Sequence, residues 1–186
     1  MKLYIKHMVS PRCKMILASE IKELGLQATA VELGIAEITE ILTPQQHSTL
    51  TQNLKKSGLE LLENKKDILI ERIKAAIIEM IHYSDELPKM NFSDYISEKL
   101  NYDYTYLSNL FTQMKGITIQ HFIIVHKIEK VKELLLYDQL NLSEISYKLH
   151  YSSVAHLSNQ FKKVTGRSPS FFKKFSQKRV CNLENL

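Results

Sequence analysis

The sequence predicts an α+β region of βαββαβ order over residues 1–64, followed by an all-helical region over 66–175 that contains two helix-turn-helix units. Three observations carry this. The apolar period turns purely helical near residue 65, the second half repeats itself at an offset of about 50 residues, and the net positive charge is confined to the last quarter of the chain. A chain of 186 residues, 44% hydrophobic and 24% charged, excludes disorder and fibre and suits one medium domain or two small ones. Five Gly and four Pro are too few for a turn-rich all-β repeat. Cys13 and Cys181 cannot make a disulfide scaffold and point to a reducing compartment. No apolar run approaches the roughly 18 to 20 residues of a membrane span. Lys2, Lys6, Arg12 and Lys14 break up the apolar stretch a signal peptide would need, so a soluble, cytoplasmic protein with no membrane contact is expected.

Residues 2–9 alternate polar and apolar and read as a strand, and Ile16, Leu17, Ile21 and Leu24 mark one face of a helix over 13–24 that Gly25 closes. Residues 28–33 and 35–42 read as two strands hinged at Gly34. Thr43-Pro44 supplies an N-cap and a Pro at the first helical position for a helix to about Ser57, and Leu59–Leu62 is a last short strand after Gly58. This order is that of the ferredoxin-like split βαβ.

From Lys65 on, Leu69, Ile73, Ala76, Ile77, Met80 and Ile81 trace a helical stripe that stops before the polar loop Ser84–Pro88, and a domain boundary is expected at 64–67. The repeat follows. Asn91-Phe-Ser-Asp matches Asn141-Leu-Ser-Glu, Lys99-Leu-Asn-Tyr102 matches Lys148-Leu-His-Tyr151, and Leu107-Ser-Asn109 matches Leu157-Ser-Asn159; Phe111, Gly116 and Phe122 recur as Phe161, Gly166 and Phe172. Each copy reads as helix, tight turn, helix, with Ser93 or Ser143 capping the first helix and Gly116 or Gly166 ending the second. Asn101 and His150 stand where the turn calls for a positive φ. Between the copies, Ile119–Tyr137 reads as one long helix.

The stretch LSEISYKLHYSSVAHLSNQFKKVTGRSPSFFKK over 142–174, with the linker Lys127-Ile-Glu-Lys-Val-Lys-Glu-Leu-Leu135, resembles the signature of AraC/XylS-type transcription regulators. The likeness covers about residues 66–175 and includes both helix-turn-helix units. It implies a seven-helix DNA-binding domain that lays two recognition helices into successive major grooves. Carried over position by position, the base-facing residues are Thr105, Ser108 and Asn109 in the first unit and Val154, Ala155, Ser158 and Asn159 in the second, with His156 on the flank. Asn pairs bidentately with adenine, Ser donates or accepts, and Val or Ala touches a thymine methyl. Neither recognition helix carries Arg, so the expected site leans towards A·T.

Residues 1–64 have no net charge, 65–140 carry −1, and 141–186 carry +6, from eight Lys and Arg against two Glu. A solvated basic tail would account for this; so would a nucleic-acid face. Lys162, Lys163, Arg167, Lys173 and Lys174 are the candidate phosphate contacts, whereas Lys178 and Arg179 belong to the tail, 176–186. Leu107, Phe111, Leu157 and Phe161 are core on either reading.

Met8-Val-Ser-Pro-Arg-Cys13 resembles the metal loop of heavy-metal-associated domains, with Ser10 in place of the first Cys. A hydroxyl is a poor ligand for soft metal, so the region is expected to keep the fold without the metal. Cys13 is the one weak candidate, for metal aided by Met8 or His7 or for a redox-sensing thiol at a helix N-terminus. The expected function is a sequence-specific transcription regulator whose partners are double-stranded DNA, RNA polymerase and a second copy of the chain. The alternative is a metal- or redox-responsive sensor or metal-handling protein acting through the front region. No enzymatic motif occurs: zinc-binding His-x-x-x-His, Gly-x-Ser-x-Gly and phosphate-cradling loops are all missing, and no cofactor is expected.

Overall fold

The computed structural model describes residues 1–84, 90–137 and 140–175. The tail at 176–186, with Lys178 and Arg179, and all but Ser84 of the loop Ser84–Pro88 lie outside the described residues. The chain forms two compact units, Met1–Glu79 with Met90–Gly116, and Met80–Lys89 with Ile117–Leu186.

The first unit begins with β1 (Lys2–Lys6), α1 (Pro11–Glu23), β2 (Ala28–Glu32), β3 (Ile35–Ile38), α2 (Pro44–Lys56) and β4 (Glu60–Leu62). The strands form one sheet of order β2-β3-β1-β4 in which every neighbouring pair is antiparallel. Leu3 faces Ala36 and Ile5 faces Leu61. Because side chains alternate across a strand, Leu3, Ile5, Ala36 and Ile38 share one face and bury themselves with Leu17 and Ile21 of α1 and Leu50 and Leu54 of α2. Three boundaries differ from the sequence reading. The first strand stops at Lys6 because His7 turns to φ 69°. Pro11, with φ preset for a helix, starts α1 two residues early. The third strand stops at Ile38, whose N–H donates to the Met1 carbonyl at 2.9 Å. Thr43 does cap α2: its hydroxyl accepts from Gln46 N–H, and the Gln46 side chain accepts in return from Thr43 N–H.

Asn64 caps α3 (Lys65–Ile78), accepting from the N–H groups of Lys66 and Asp67. Ile78 enters the core of the sheet region, and a Cβ on Gly34 would lie 3.5 Å from Ala75 Cβ. α3 also packs on α4 (Phe92–Leu100) and α5 (Tyr104–Lys115), the first helix-turn-helix pair. Glu71 of α3, buried, pairs with Lys74 at 2.9 Å and with Lys115 of α5 at 3.8 Å.

α3 runs on into a π-helical turn, Glu79–Tyr83. The second unit contains α6 (Ile119–Leu136), α7 (Leu142–Lys148) and α8 (Val154–Thr165), with a further helical segment over 169–175. Thr118 caps α6 by accepting from His121 N–H at 3.1 Å. Ile123, Ile128 and Val131 of α6, Ile145 of α7 and Leu157 and Phe161 of α8 are buried, and the Phe172 ring meets Phe161 edge-on with centroids 5.7 Å apart.

Candidate nucleic-acid interface

In each unit a short helix is set against a longer one by a turn whose conformation local sequence dictates. The short helices α4 and α7 start at Asn91 and Asn141. This corrects the reading of Ser93 and Ser143 as caps: Asn141 accepts from Ser143 N–H and Glu144 N–H, and Glu144 returns a bond to Asn141 N–H, a capping box that leaves Ser143 inside the first turn. Asn101 and His150 do adopt the left-handed conformation, at φ 56° and 51°. In both turns the next residue reaches back across the helix end, Tyr102 N–H to the Ser97 carbonyl and Tyr151 N–H to the Ser146 carbonyl, while Asn101 and His150 bond Glu98 and Tyr147. These are Schellman closures at which a β-branched residue is strained. Asn101→Val or His150→Val should therefore lower stability by about 1 to 2 kcal/mol, with Gly neutral or better. Urea unfolding of the full chain measures this, and an unchanged midpoint for Asn101→Val contradicts it.

α5 and α8 begin at Asp103 and Ser153, whose side chains accept from Tyr106 N–H and His156 N–H, and end at Gly116 and Gly166 with φ 70° and 75°. On both helices the inner face is Leu107 and Phe111 or Leu157 and Phe161, fully buried. The outer face carries Thr105 and Asn109, or Ala155 and Asn159, all exposed, with Ser108, Val154 and Ser158 half-exposed beside them. His156 is exposed too, but Nδ1 lies 2.9 Å from the Ser152 hydroxyl and its ring stands edge-on to Tyr151 at 5.3 Å. Its repeat partner Tyr106, exposed on α5 and stacked on Tyr102 at 5.9 Å, is an outward-facing residue the sequence reading passed over. The 50-residue spacing that relates position 106 to 156 was the signal for it.

The cations of the two units are deployed differently. In the first, Lys99 is paired with Glu79 and Lys115 with Glu71. In the second, Lys162 and Lys163 are exposed on the last turn of α8, paired with no acid among the described residues. The Arg167 guanidinium lies 4.7 Å from the Phe171 ring centre, Lys174 is exposed, and Lys173 is half-buried. Among the described residues, no three His, Cys, Asp or Glu side chains come together as a metal-holding group, and no helix is long and apolar enough to cross a membrane.

Residues 96–174 match the family model described as a helix-turn-helix domain. The match runs from within α4 to beyond α8. Two curated relatives share it: the Msm operon regulatory protein of Streptococcus mutans, 29% identical over 100 residues, and the HTH-type transcriptional regulator YtdP of Bacillus subtilis, 27% identical over 115 residues. The first alignment covers 50% of this chain and 36% of the relative, the second 62% and 14%, so the chain spans well under half the length of either. Among solved structures, the C-terminal domain of AraT, a response regulator from Geobacillus stearothermophilus, superposes with a TM-score of 0.51 at 28% identity over 60% of this chain and 88% of that one. This stretch is thus similar to the helix-turn-helix domains of proteins described as transcription regulators.

Proposed function

We propose that the whole chain is a sequence-specific transcription regulator whose α5 and α8 read successive major grooves on one face of double-stranded DNA. The observation that carries this is the duplicated outer face: Asn109 and Asn159 stand exposed at equivalent positions of two helices that bury equivalent Leu and Phe. Thr105, Ser108, Val154, Ala155, Ser158 and, on the flank, His156 complete the base-reading set, and Lys162, Lys163, Arg167, Lys173 and Lys174 supply phosphate contacts. With no Arg on either helix, the site leans towards A·T. Two grooves on one face recur at one helical turn, so half-elements about 10 bp apart are expected. On this reading residues 1–64 form a separate ferredoxin-like domain of heavy-metal-associated type, residues 66–175 form the DNA-binding domain, the setting is cytoplasmic, and RNA polymerase and a second copy of the chain are further partners.

Selecting bound sites from a random DNA pool tests the proposal and delivers the operator. A footprint confined to one groove, or binding indifferent to sequence, rejects it. Asn159→Ala should cost about 1 to 3 kcal/mol and relax preference at a single base pair; equal weakening on every sequence would remove Asn159 from the base readers.

One observation favours a second role for the front region. Burial raises the Cys13 thiol pKa, but the Ser10 hydroxyl 3.5 Å from Sγ and backbone N–H groups outweigh it and hold the thiol below its ordinary value. Met8 is buried in the core and His7 is exposed, so a soft metal would find Cys13 with little help. Titration with Cu(I) should show weak binding that Ser10→Cys makes tight. Tight stoichiometric metal in the unaltered chain, lost in Cys13→Ala, would favour a metal sensor.

A further inference from the structure

The two helix-turn-helix units are near copies, yet one contact exists in only the second. Tyr151 follows the left-handed His150 directly, and its hydroxyl donates to Gln160 Oε1 of α8 at 2.7 Å. The other side of the ring faces a cation from the long helix: Lys127 Nζ of α6 lies 4.5 Å from the ring centre. Lys127 and Tyr151 are both buried, 7% and 9% exposed. A third contact comes from His156, edge-on to the same ring at 5.3 Å and itself bonded to Ser152. One tyrosine therefore ties together α6, the turn and two positions of the recognition helix, Gln160 lying one residue from Asn159. In the first unit the equivalent tyrosine, Tyr102, is 46% exposed, and the position matching Gln160 is Leu110, which has no acceptor to offer.

We propose that Tyr151 and Gln160 are positioning residues that seat the second recognition helix, with Lys127 holding the Tyr151 ring, so that α8 is presented to its bases in one rotation while α5 has no such lock. Base discrimination through this lock rests on the DNA-reading function proposed above; the lock itself does not. Losing the Tyr151 hydroxyl leaves the half-buried Gln160 without this protein partner, at the cost of about one ordinary hydrogen bond. A rotation of α8 by a few degrees displaces the Asn159 amide, and bidentate pairing with a base edge tolerates little displacement.

The test uses the full chain with Tyr151→Phe, which keeps the ring over Lys127 and removes only the hydroxyl, Gln160→Leu, which installs the first unit's residue type, and the double variant. Amide hydrogen exchange without DNA should quicken by about 3- to 10-fold over 154–160 in each single variant, the fold-change of one ordinary hydrogen bond. It should go no further in the double variant and be unchanged over 104–115. On the selected operator, discrimination at the base pairs of the second half-element should fall by about the same factor while that at the first half-element holds. Unchanged exchange, or exchange quickened equally in α5 and α8, overturns the proposal, as does quickened exchange over 154–160 with discrimination intact. If the unaltered chain selects no sequence at all, the DNA reading fails, and the exchange measurement alone decides whether Tyr151 locks α8.

Discussion

Neutralising Lys162, Lys163 and Lys174 together is expected to flatten the slope of log K against log salt by about 2 to 3, because each phosphate contact contributes roughly 0.9 to that slope. Neutralising Lys99 and Lys115 should change it by less than about 1. The first helix-turn-helix, 93–116, carries Lys99 and Lys115 against Asp94, Glu98 and Asp103, net −1, while the second, 143–166, carries Lys148, Lys162 and Lys163 against Glu144, net +2. The structure sharpens the contrast. Lys99 and Lys115 already hold carboxylates, Glu79 and Glu71, whereas Lys162 and Lys163 have no acid partner among the described residues. Removing the first pair thus releases few counterions but disturbs a buried Glu71, so it should cost stability more than salt response. Asp103→Asn should leave specificity and the α5 cap intact, since an Asn oxygen can also accept from Tyr106 N–H, and tighten binding modestly at low salt. Equal salt slopes for the two lysine sets would refute an anchoring second unit.

The second large effect is a rise in stability of about 2 to 3 kcal/mol between pH 8 and pH 10 that Lys127→Met abolishes. Burial, which strips water from the ammonium, lowers the Lys127 pKa from 10.5 to about 8. Below about pH 8 both folded and unfolded chains carry the proton and no slope arises. Above it the folded chain has released a proton that the unfolded chain still binds, and stability climbs at about 1.4 kcal/mol per pH unit. Burial also pushes the Tyr151 hydroxyl up to about 12, so above pH 10 the unfolded chain ionises its tyrosine first and the gain turns over. Lys127→Met, an apolar side chain of similar length, should be as stable or more so at pH 7. Denaturant titrations across that range check the prediction, and a flat profile for the unaltered chain would place the Lys127 ammonium in contact with water.

Helix ends and turns show how far local sequence reaches. Thr43-Pro44, Gly116 and Gly166 act over three to five residues, so their caps and stops are legible from local sequence, whereas the cap that Asn64 gives α3 emerges only in the structure. The left-handed turns at Asn101 and His150 were legible for the same reason. Where a local signal has two claimants, sequence does not choose between them: Ser93 and Ser143 are good cap residues, but Asn91 and Asn141, two positions earlier, are the N-caps. Strand ends are less legible because a strand lasts only as long as its pairing with a neighbour, which the local sequence does not contain.

The sequence by itself determined the order of helices and strands, the duplication, the buried Leu and Phe of each recognition helix and the stretch of chain in which positive charge accumulates. These follow from periodicity and short-range bonding. Tertiary structure alone decided which cations remain available and which tyrosine is locked. Lys99 and Lys162 look alike in a sequence, and only a fold that brings Glu79 to the one and no described acid to the other separates them. Likewise Tyr102 and Tyr151 occupy matching places, and their difference arises from Lys127, 24 residues upstream of Tyr151, and from Gln160. The reason is physical: a cap or turn is settled by neighbours along the chain, whereas pairing and burial of a charged or polar tip depend on groups that only chain folding brings within a few ångströms.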